Sequence, residues 1–127
     1  MKNPVNLFYT EDHEWLSSKG PKAQIGVSAH AIEQLGDIVH VELPSVGDEV
    51  SKGDSFGTIE STKTVSDLYA PCSGKVIAVN EDVLNDPESL SADPYTKGWL
   101  IEIAVESEFS ENVMTAQQYN NYLENQV

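Results

Sequence analysis

The sequence contains no arginine, and its seven lysines stand apart from one another among 21 acidic residues. The formal net charge of the 127-residue chain is therefore −14 at neutral pH. Binding to nucleic acid or to an anionic membrane depends on clustered basic side chains, which this sequence lacks. The charge instead favours protein partners with basic docking faces, and salt should weaken such encounters. An equally good interpretation is that the charge keeps an abundant protein soluble and monomeric, and the two roles are compatible.

Cysteine and metal-ligand patterns are also scarce. Cys72 is the only cysteine, so the chain has no internal disulfide, which fits a reducing compartment. Its strand-like surroundings predict a small packed side chain rather than a reactive thiol. His13, His30 and His40 are far apart in the sequence and have no cysteine partners, so we predict no metal site.

Long hydrophobic runs are missing too. No stretch approaches the roughly 20 apolar residues of a membrane span. The first twenty residues include three acidic side chains and lack the apolar segment or arginines of a signal or transit peptide. We therefore expect a bacterial cytoplasmic protein rather than an organelle matrix protein, with a single domain over residues 1–127.

Alternation of apolar and polar residues dominates what is present. The segment Ile38–Leu43 places Val39, Val41 and Leu43 on one face of a half-buried strand. Turn residues separate this strand from other short strand-like runs. These runs are Glu14–Leu16, Gln24–Val27, Ser55–Ile59, Val65–Tyr69, Lys75–Val79 and Trp99–Val105. The pattern predicts a mainly β protein, an antiparallel barrel or sandwich.

Two helices are predicted by their end signals. Ser28 is placed to cap a short helix through Ala29–Leu35, which Gly36 ends. Thr115 and Gln118 form a capping box for a C-terminal helix that continues to about Glu124. The long connection 80–97 is expected to contain one helical turn at most.

One lysine lies between two of the predicted strands. Residues 60–64, ESTKT, join Ser55–Ile59 to Val65–Tyr69 and predict a hairpin with Lys63 at or beside its tip. From spacing alone, the favoured interpretation is a solvated turn lysine loosely paired with Glu60 or Asp67.

The sequence as a whole resembles the H protein family of the glycine cleavage system. The motifs that carry the resemblance lie in order over nearly the whole chain: YTEDHEW (9–15), IGVS (25–28), LGDIV (35–39), VELPSVG (41–47), KGDSFG (52–57), ESTKTVSDLYAP (60–71), SGKV (73–76), DPY (93–95) and GWLI (98–101). Each motif alone is weakly specific, and together they are highly specific.

The resemblance implies a flattened antiparallel barrel-sandwich hybrid of the lipoyl-domain type, with a covalent lipoate on Lys63. The hairpin residues around that lysine would include Glu60, Ser61 and Asp67. The implied partners are a pyridoxal-phosphate glycine decarboxylase, a tetrahydrofolate-dependent aminomethyltransferase, dihydrolipoamide dehydrogenase, and a lipoate ligase or an octanoyl or lipoyl transferase. The protein would be a non-catalytic carrier, and we expect a monomer.

The resemblance also suggests a cleft that shelters the loaded arm. A carboxylate in such a cleft could pair with the cationic amine that the arm carries. Glu14 is the first candidate and Asp67 the second, whereas an exposed strand residue is an equally good interpretation of Glu14.

Three other functions remain open at this stage. A biotin carrier displays its lysine on a similar hairpin, but methionines usually flank that lysine, and Thr62 and Thr64 stand there in this chain. An H-like protein that passes lipoyl groups to other complexes is compatible with the sequence. An unmodified protein–protein adaptor is also compatible. A stand-alone enzyme is disfavoured because no phosphate loop or local catalytic triad is present.

Overall fold

The computed structural model describes residues 3–105 and 113–125, in which short antiparallel strands are the most extensive regular structure. The elements of this part of the chain are β1 (Phe8–Tyr9), β2 (Glu14–Lys19), β3 (Lys22–Val27), α1 (Ala29–Leu35), β4 (Ile38–Glu42), β5 (Glu49–Val50), β6 (Ser55–Ser61), β7 (Val65–Tyr69), β8 (Gly74–Val79), α2 (Glu81–Asn85), α3 (Glu88–Ala92), β9 (Ile101–Val105) and α4 (Ala116–Glu124).

The strands form two antiparallel sheets that do not close into a barrel. The larger sheet has the order β1-β2-β3-β9-β8-β5, and the smaller has the order β4-β6-β7. Both contribute to one hydrophobic cluster, in which Ile25 and Ile103 come from the larger sheet and Val41 and Ile59 from the smaller. The predicted fold class, a flattened barrel-sandwich with a short internal helix and a C-terminal helix, is confirmed.

Both predicted helices begin where their capping signals place them. The Ser28 hydroxyl accepts a hydrogen bond from the Ala31 N–H at the start of α1. Helix α4 begins with the full capping box, in which Thr115 accepts from the Gln118 N–H and the Gln118 side chain accepts from the Thr115 N–H. These bonds satisfy N–H groups that a helix leaves unpaired at its first turn.

Two details of the sequence prediction are wrong. The connection 80–97 contains two short helices, α2 and α3, rather than one turn, and Asn80 caps the first of them. In β4 a bulge between Ile38 and His40 shifts the alternation of faces. Ile38 and Val41 are buried as a result, whereas Val39 is 49% exposed. A bulge adds one residue to a strand, and alternation alone does not reveal it.

Cys72 is fully buried, as predicted for a packed side chain. No helix in the described ranges is both long enough and apolar enough to cross a membrane.

Candidate functional site

Lys63 lies at the tip of the β6–β7 hairpin and is exposed, as predicted. The last ladder pair before the tip joins Glu60 to Val65. A backbone hydrogen bond of 2.8 Å from the Ser61 N–H to the Thr64 carbonyl then closes the turn. The lysine is therefore presented on a short, hydrogen-bonded loop.

The Ser61 hydroxyl organises this loop from inside. Its Oγ accepts hydrogen bonds from the N–H groups of Lys63 at 3.2 Å and Thr64 at 3.1 Å, and it donates to the Thr64 carbonyl at 3.2 Å. The sequence placed Ser61 in the hairpin but did not predict these hydrogen bonds of its hydroxyl. In turns, serine side chains often form hydrogen bonds to backbone groups two or three residues away. This tendency could have predicted the role of Ser61.

The segment after helix α1 supports the hairpin tip. The Thr62 N–H donates to the Asp37 carbonyl at 3.0 Å. The aliphatic part of Lys63 lies over Gly36, because a Cβ added to Gly36 would be 3.5 Å from the Lys63 Cε. Gly36 has a φ of 83°, a left-handed conformation that favours glycine, so the same residue ends α1 and leaves room for the lysine.

The loose ion pair of Lys63 with Glu60 or Asp67, one alternative from the sequence, does not form. In the two described ranges the one ion pair joins His40 to Glu42 at 3.5 Å. No carboxylate of these ranges therefore forms an ion pair with the Lys63 amine.

Residues from four parts of the fold enclose a cleft of about 390 Å³ at the other end of β7. The lining residues are Thr10, Glu11, Asp12, Glu14, Lys52, Gly53, Tyr69, Ala70, Pro71, Val113 and Met114. Since a strand rises about 3.3 Å per residue, Tyr69 lies roughly 20 Å along the chain direction from Lys63. Strand β7 thus connects the displayed lysine to the cleft.

Glu14 is the buried charged group of this cleft, with only 2% of its surface exposed. One carboxyl oxygen accepts from the Tyr69 N–H at 2.9 Å, and the other accepts from the Thr10 hydroxyl at 3.3 Å. Burial raises the pKa of Glu14 from 4.5 to about 8, although the bond from Tyr69 acts in the opposite direction. At neutral pH the Glu14 carboxyl group is therefore largely protonated.

The turn before Glu14 is strained and braced. His13 has a φ of 66°, a left-handed conformation that costs a residue with a Cβ roughly 1–2 kcal/mol. The His13 carbonyl accepts from the Ser28 N–H at 2.8 Å, and its Nδ1 lies 2.7 Å from the Tyr119 hydroxyl. Sequence reasoning missed this contact, which joins residues 106 positions apart.

The other residues named from the sequence lie on the outside of the small sheet. Glu60 and Asp67 are both exposed, and neither belongs to the lining of the cleft that contains Glu14. Of the two candidate carboxylates, the structure brings Glu14 into the cleft and leaves Asp67 on the strand between the cleft and the lysine. Among the residues that the structure describes, no cluster of three ligating side chains could hold a metal ion.

Comparison with known proteins identifies the family. The architecture, two antiparallel sheets with one lysine on an exposed hairpin, is that of a flattened barrel-sandwich. A model of the glycine cleavage H-protein family matches residues 7–126. The chain belongs to this glycine cleavage H-protein family.

Individual relatives agree over nearly the full length. The glycine cleavage system H protein of Bacillus licheniformis is 49% identical over 125 residues, which cover 97% of this chain and 98% of the relative. The H protein of Thermosynechococcus vestitus is 50% identical over 121 residues, 95% of this chain and 94% of the relative. The crystal structure of an H protein from Mycobacterium marinum superposes with a TM-score of 0.91 at 39% identity and covers 96% of this chain and 99% of that one.

Proposed function

We propose that this protein is the lipoyl carrier of a glycine cleavage system, with lipoate attached to Lys63. The observation that carries the proposal is the exposed lysine on a hydrogen-bonded hairpin tip in a chain of the H-protein family. Residues 1–127 would act as one carrier domain without a catalytic activity of its own. The aminomethyl group of glycine would travel on the arm from the decarboxylase to the aminomethyltransferase.

Lys63 fits the attachment of lipoate. Its side chain is exposed, its stem rests against Gly36, and no carboxylate in the described ranges pairs with it. A lysine amine is protonated at neutral pH and is a poor nucleophile, so a ligase or transferase must activate the acyl group and form the amide. When bound, the lipoyl group would supply a disulfide that can accept the aminomethyl group, and oxidation of the resulting dithiol would restore the disulfide.

The remaining partners follow from this cycle. They are the pyridoxal-phosphate glycine decarboxylase, the tetrahydrofolate-dependent aminomethyltransferase and dihydrolipoamide dehydrogenase. The net charge of −14 supports encounters with basic docking faces on these enzymes. A tethered arm raises the effective concentration of its cargo at each docked active site. We place this cycle in the bacterial cytoplasm, with the carrier as a monomer.

Glu14 is proposed to bind the cationic amine of the loaded arm. The carboxyl group is buried in the cleft at the end of β7 and keeps its orientation through the Tyr69 N–H and the Thr10 hydroxyl. A cation that enters the cleft favours the ionised carboxylate, which then forms a charge-assisted hydrogen bond. Asp67, exposed between the lysine and the cleft, is proposed as a secondary contact for the arm.

Mass spectrometry tests the attachment site. The chain is co-expressed with a lipoate-attaching enzyme and lipoate, and intact and peptide masses are compared for wild type, Lys63→Ala and Lys75→Ala. Lys75 is an exposed strand lysine and serves as the control. We expect a single lipoyl adduct on Lys63 in wild type and Lys75→Ala. A folded wild-type protein without an adduct would refute the carrier function and favour an adaptor.

Reconstitution tests the pathway. The lipoylated protein is mixed with the glycine decarboxylase, and exchange of labelled bicarbonate into glycine is measured. We expect exchange that depends on Lys63. The lipoylated protein could instead support no exchange and pass its lipoyl group to another acceptor domain. That result would refute a role in glycine cleavage and favour lipoate relay.

The role of Glu14 is tested on the loaded carrier. Glu14→Gln keeps the shape of the side chain and removes its ability to ionise. We expect faster release of ammonia and formaldehyde in the absence of the folate enzyme, whereas Glu60→Gln, outside the cleft, should match wild type. Equal release rates for wild type and Glu14→Gln would remove Glu14 from the proposal.

A further inference from the structure

A chain of polar contacts leads from helix α4 to the cleft. The Tyr119 hydroxyl lies 2.7 Å from both the His13 Nδ1 and the Ser28 Oγ. In the neutral Nε2–H tautomer of His13, Nδ1 accepts from the Tyr119 hydroxyl, which in turn accepts from Ser28. Burial, with a smaller contribution from nearby His30, lowers the pKa of His13 and favours this neutral form.

The aromatic rings around this hydroxyl make the contact rigid. The Tyr119 ring is fully buried and stacks on Tyr9 with centroids 4.7 Å apart and planes within 5° of parallel. The His13 ring lies 5.8 Å from that of Tyr119 and 4.7 Å from that of His30. Because the Tyr119 ring is held by its neighbours, its hydroxyl has a fixed position. The hydrogen bond to this hydroxyl stabilises His13 in a left-handed conformation that is unfavourable for most residues with a Cβ.

The residue after that turn is Glu14, so the anchored His13 lies directly beside the backbone that carries the Glu14 carboxyl. The turn is closed by bonds from the His13 N–H to the Thr10 carbonyl at 3.0 Å and from the Thr10 N–H to the Glu14 carbonyl at 2.9 Å. Within this closed turn Glu14 points into the cleft rather than to water. The Tyr69 N–H and the Thr10 hydroxyl bind the carboxyl there, and the turn fixes the backbone from which the side chain enters the cleft.

We propose that His13, anchored by the Tyr119 hydroxyl, is a positioning residue that keeps the Glu14 carboxyl buried in the cleft. The inference rests on the proposed function only in assigning Glu14 to the cationic amine. Helix α4, which lies more than 90 residues away in the chain, thereby becomes part of the machinery that holds the cargo. His13 itself contacts neither the arm nor its cargo.

The first test uses the unmodified protein and needs no lipoate. The titration of the Glu14 carboxyl is followed by carbon-13 NMR in wild type, Tyr119→Phe, His13→Asn and the double variant. Tyr119→Phe removes the hydroxyl and keeps the ring, while asparagine tolerates the left-handed backbone and lacks the imidazole. Tyr122→Phe is the control, because it removes another hydroxyl of the same helix and leaves the Tyr119 anchor intact.

We expect the Glu14 midpoint to fall by roughly one pH unit or more in both single variants, because a released carboxyl group becomes hydrated. The double variant should show no larger shift than either single variant, since both remove the same contact. Tyr119, which interacts electrostatically with Glu14, and His13 are the ionisable groups that the variants remove. The other ionisable groups that line the cleft stay in place in every variant. They are Glu11 and Asp12 from the turn, Lys52 before β6 and Tyr69 on β7.

The outcomes separate the inference from the proposed function. Midpoints equal to that of Tyr122→Phe in both folded single variants would overturn the inference, as would a shift in only one of them. The second readout is the release rate of the loaded protein, which should rise in both single variants. A shifted titration with an unchanged release rate would support His13 as a positioning residue and instead refute the assignment of Glu14 to the amine.

Discussion

The buried carboxyl of Glu14 should make the stability of the protein depend on pH in an unusual direction. Its pKa is raised from 4.5 to about 8 in the folded state. The folded state therefore binds more protons than the unfolded state between these values, and stability is lost as pH rises. Most paired carboxylates have lowered pKa values and produce the opposite slope.

The magnitude follows from proton linkage. With pKa values of 4.5 unfolded and about 8 folded, raising the pH from 5 to 7 costs the folded state about 2.5 kcal/mol at this site. Glutamine resembles the protonated carboxyl and does not titrate. The Glu14→Gln variant should therefore gain about 2.5 kcal/mol relative to wild type over this interval.

The assay is urea denaturation of both unmodified proteins at pH 5 and pH 7. Other titrating groups are common to the two proteins and cancel in the comparison. For ordinary urea m-values the difference between the two midpoints should change by roughly 1–2 M in favour of the variant. Parallel changes in the two midpoints would refute the reasoning, because Glu14 would then titrate as an ordinary, hydrated carboxyl.

Three further predictions concern burial, packing and the hairpin tip. Cys72 should resist thiol reagents in the native unmodified protein at pH 7, because it is fully buried and burial raises its pKa to about 11; rapid labelling without denaturant would contradict this. Gly26→Ala should lower the free energy of unfolding by about 1–3 kcal/mol, because the new Cβ would lie 2.4 Å from the Trp15 Cε2. An unchanged denaturation midpoint would show that the indole moves aside freely. Ser61→Ala should slow lipoate attachment by a ligase relative to wild type, because the Ser61 hydroxyl accepts from two backbone N–H groups of the hairpin tip. Thr62→Ala should not slow attachment, and equal rates in all three proteins would contradict this role of Ser61.

Features set by neighbouring residues could be predicted from the sequence. The caps at Ser28 and Thr115 depend on hydrogen bonds that span three residues, and both are present. The hairpin around Lys63 depends on two adjacent strands, and its position at the tip is confirmed. These predictions succeed because the interactions involved join residues that are close together in the sequence.

Features set by distant residues could not be predicted in the same way. Glu14 is oriented by the Tyr69 N–H, 55 positions away, and His13 is anchored by Tyr119, 106 positions away. The partner of the Tyr119 hydroxyl depends on how helix α4 docks on the sheets. The exposure of Val39 was missed for a related reason, since a bulge depends on the pairing strand.

Under the proposed function, the raised pKa of Glu14 has a consequence for the choice of cargo. An ionised carboxylate buried without a partner is costly, so Glu14 is mainly the neutral acid at pH 7 when no cation faces it. An arm without an amine therefore meets a protonated Glu14 and gains no ionic contact from it. An arm with a cationic amine displaces the proton and gains a charge-assisted bond in a desolvated site. The same desolvation that destabilises the unmodified protein above pH 5 thus makes the cleft selective for the loaded arm.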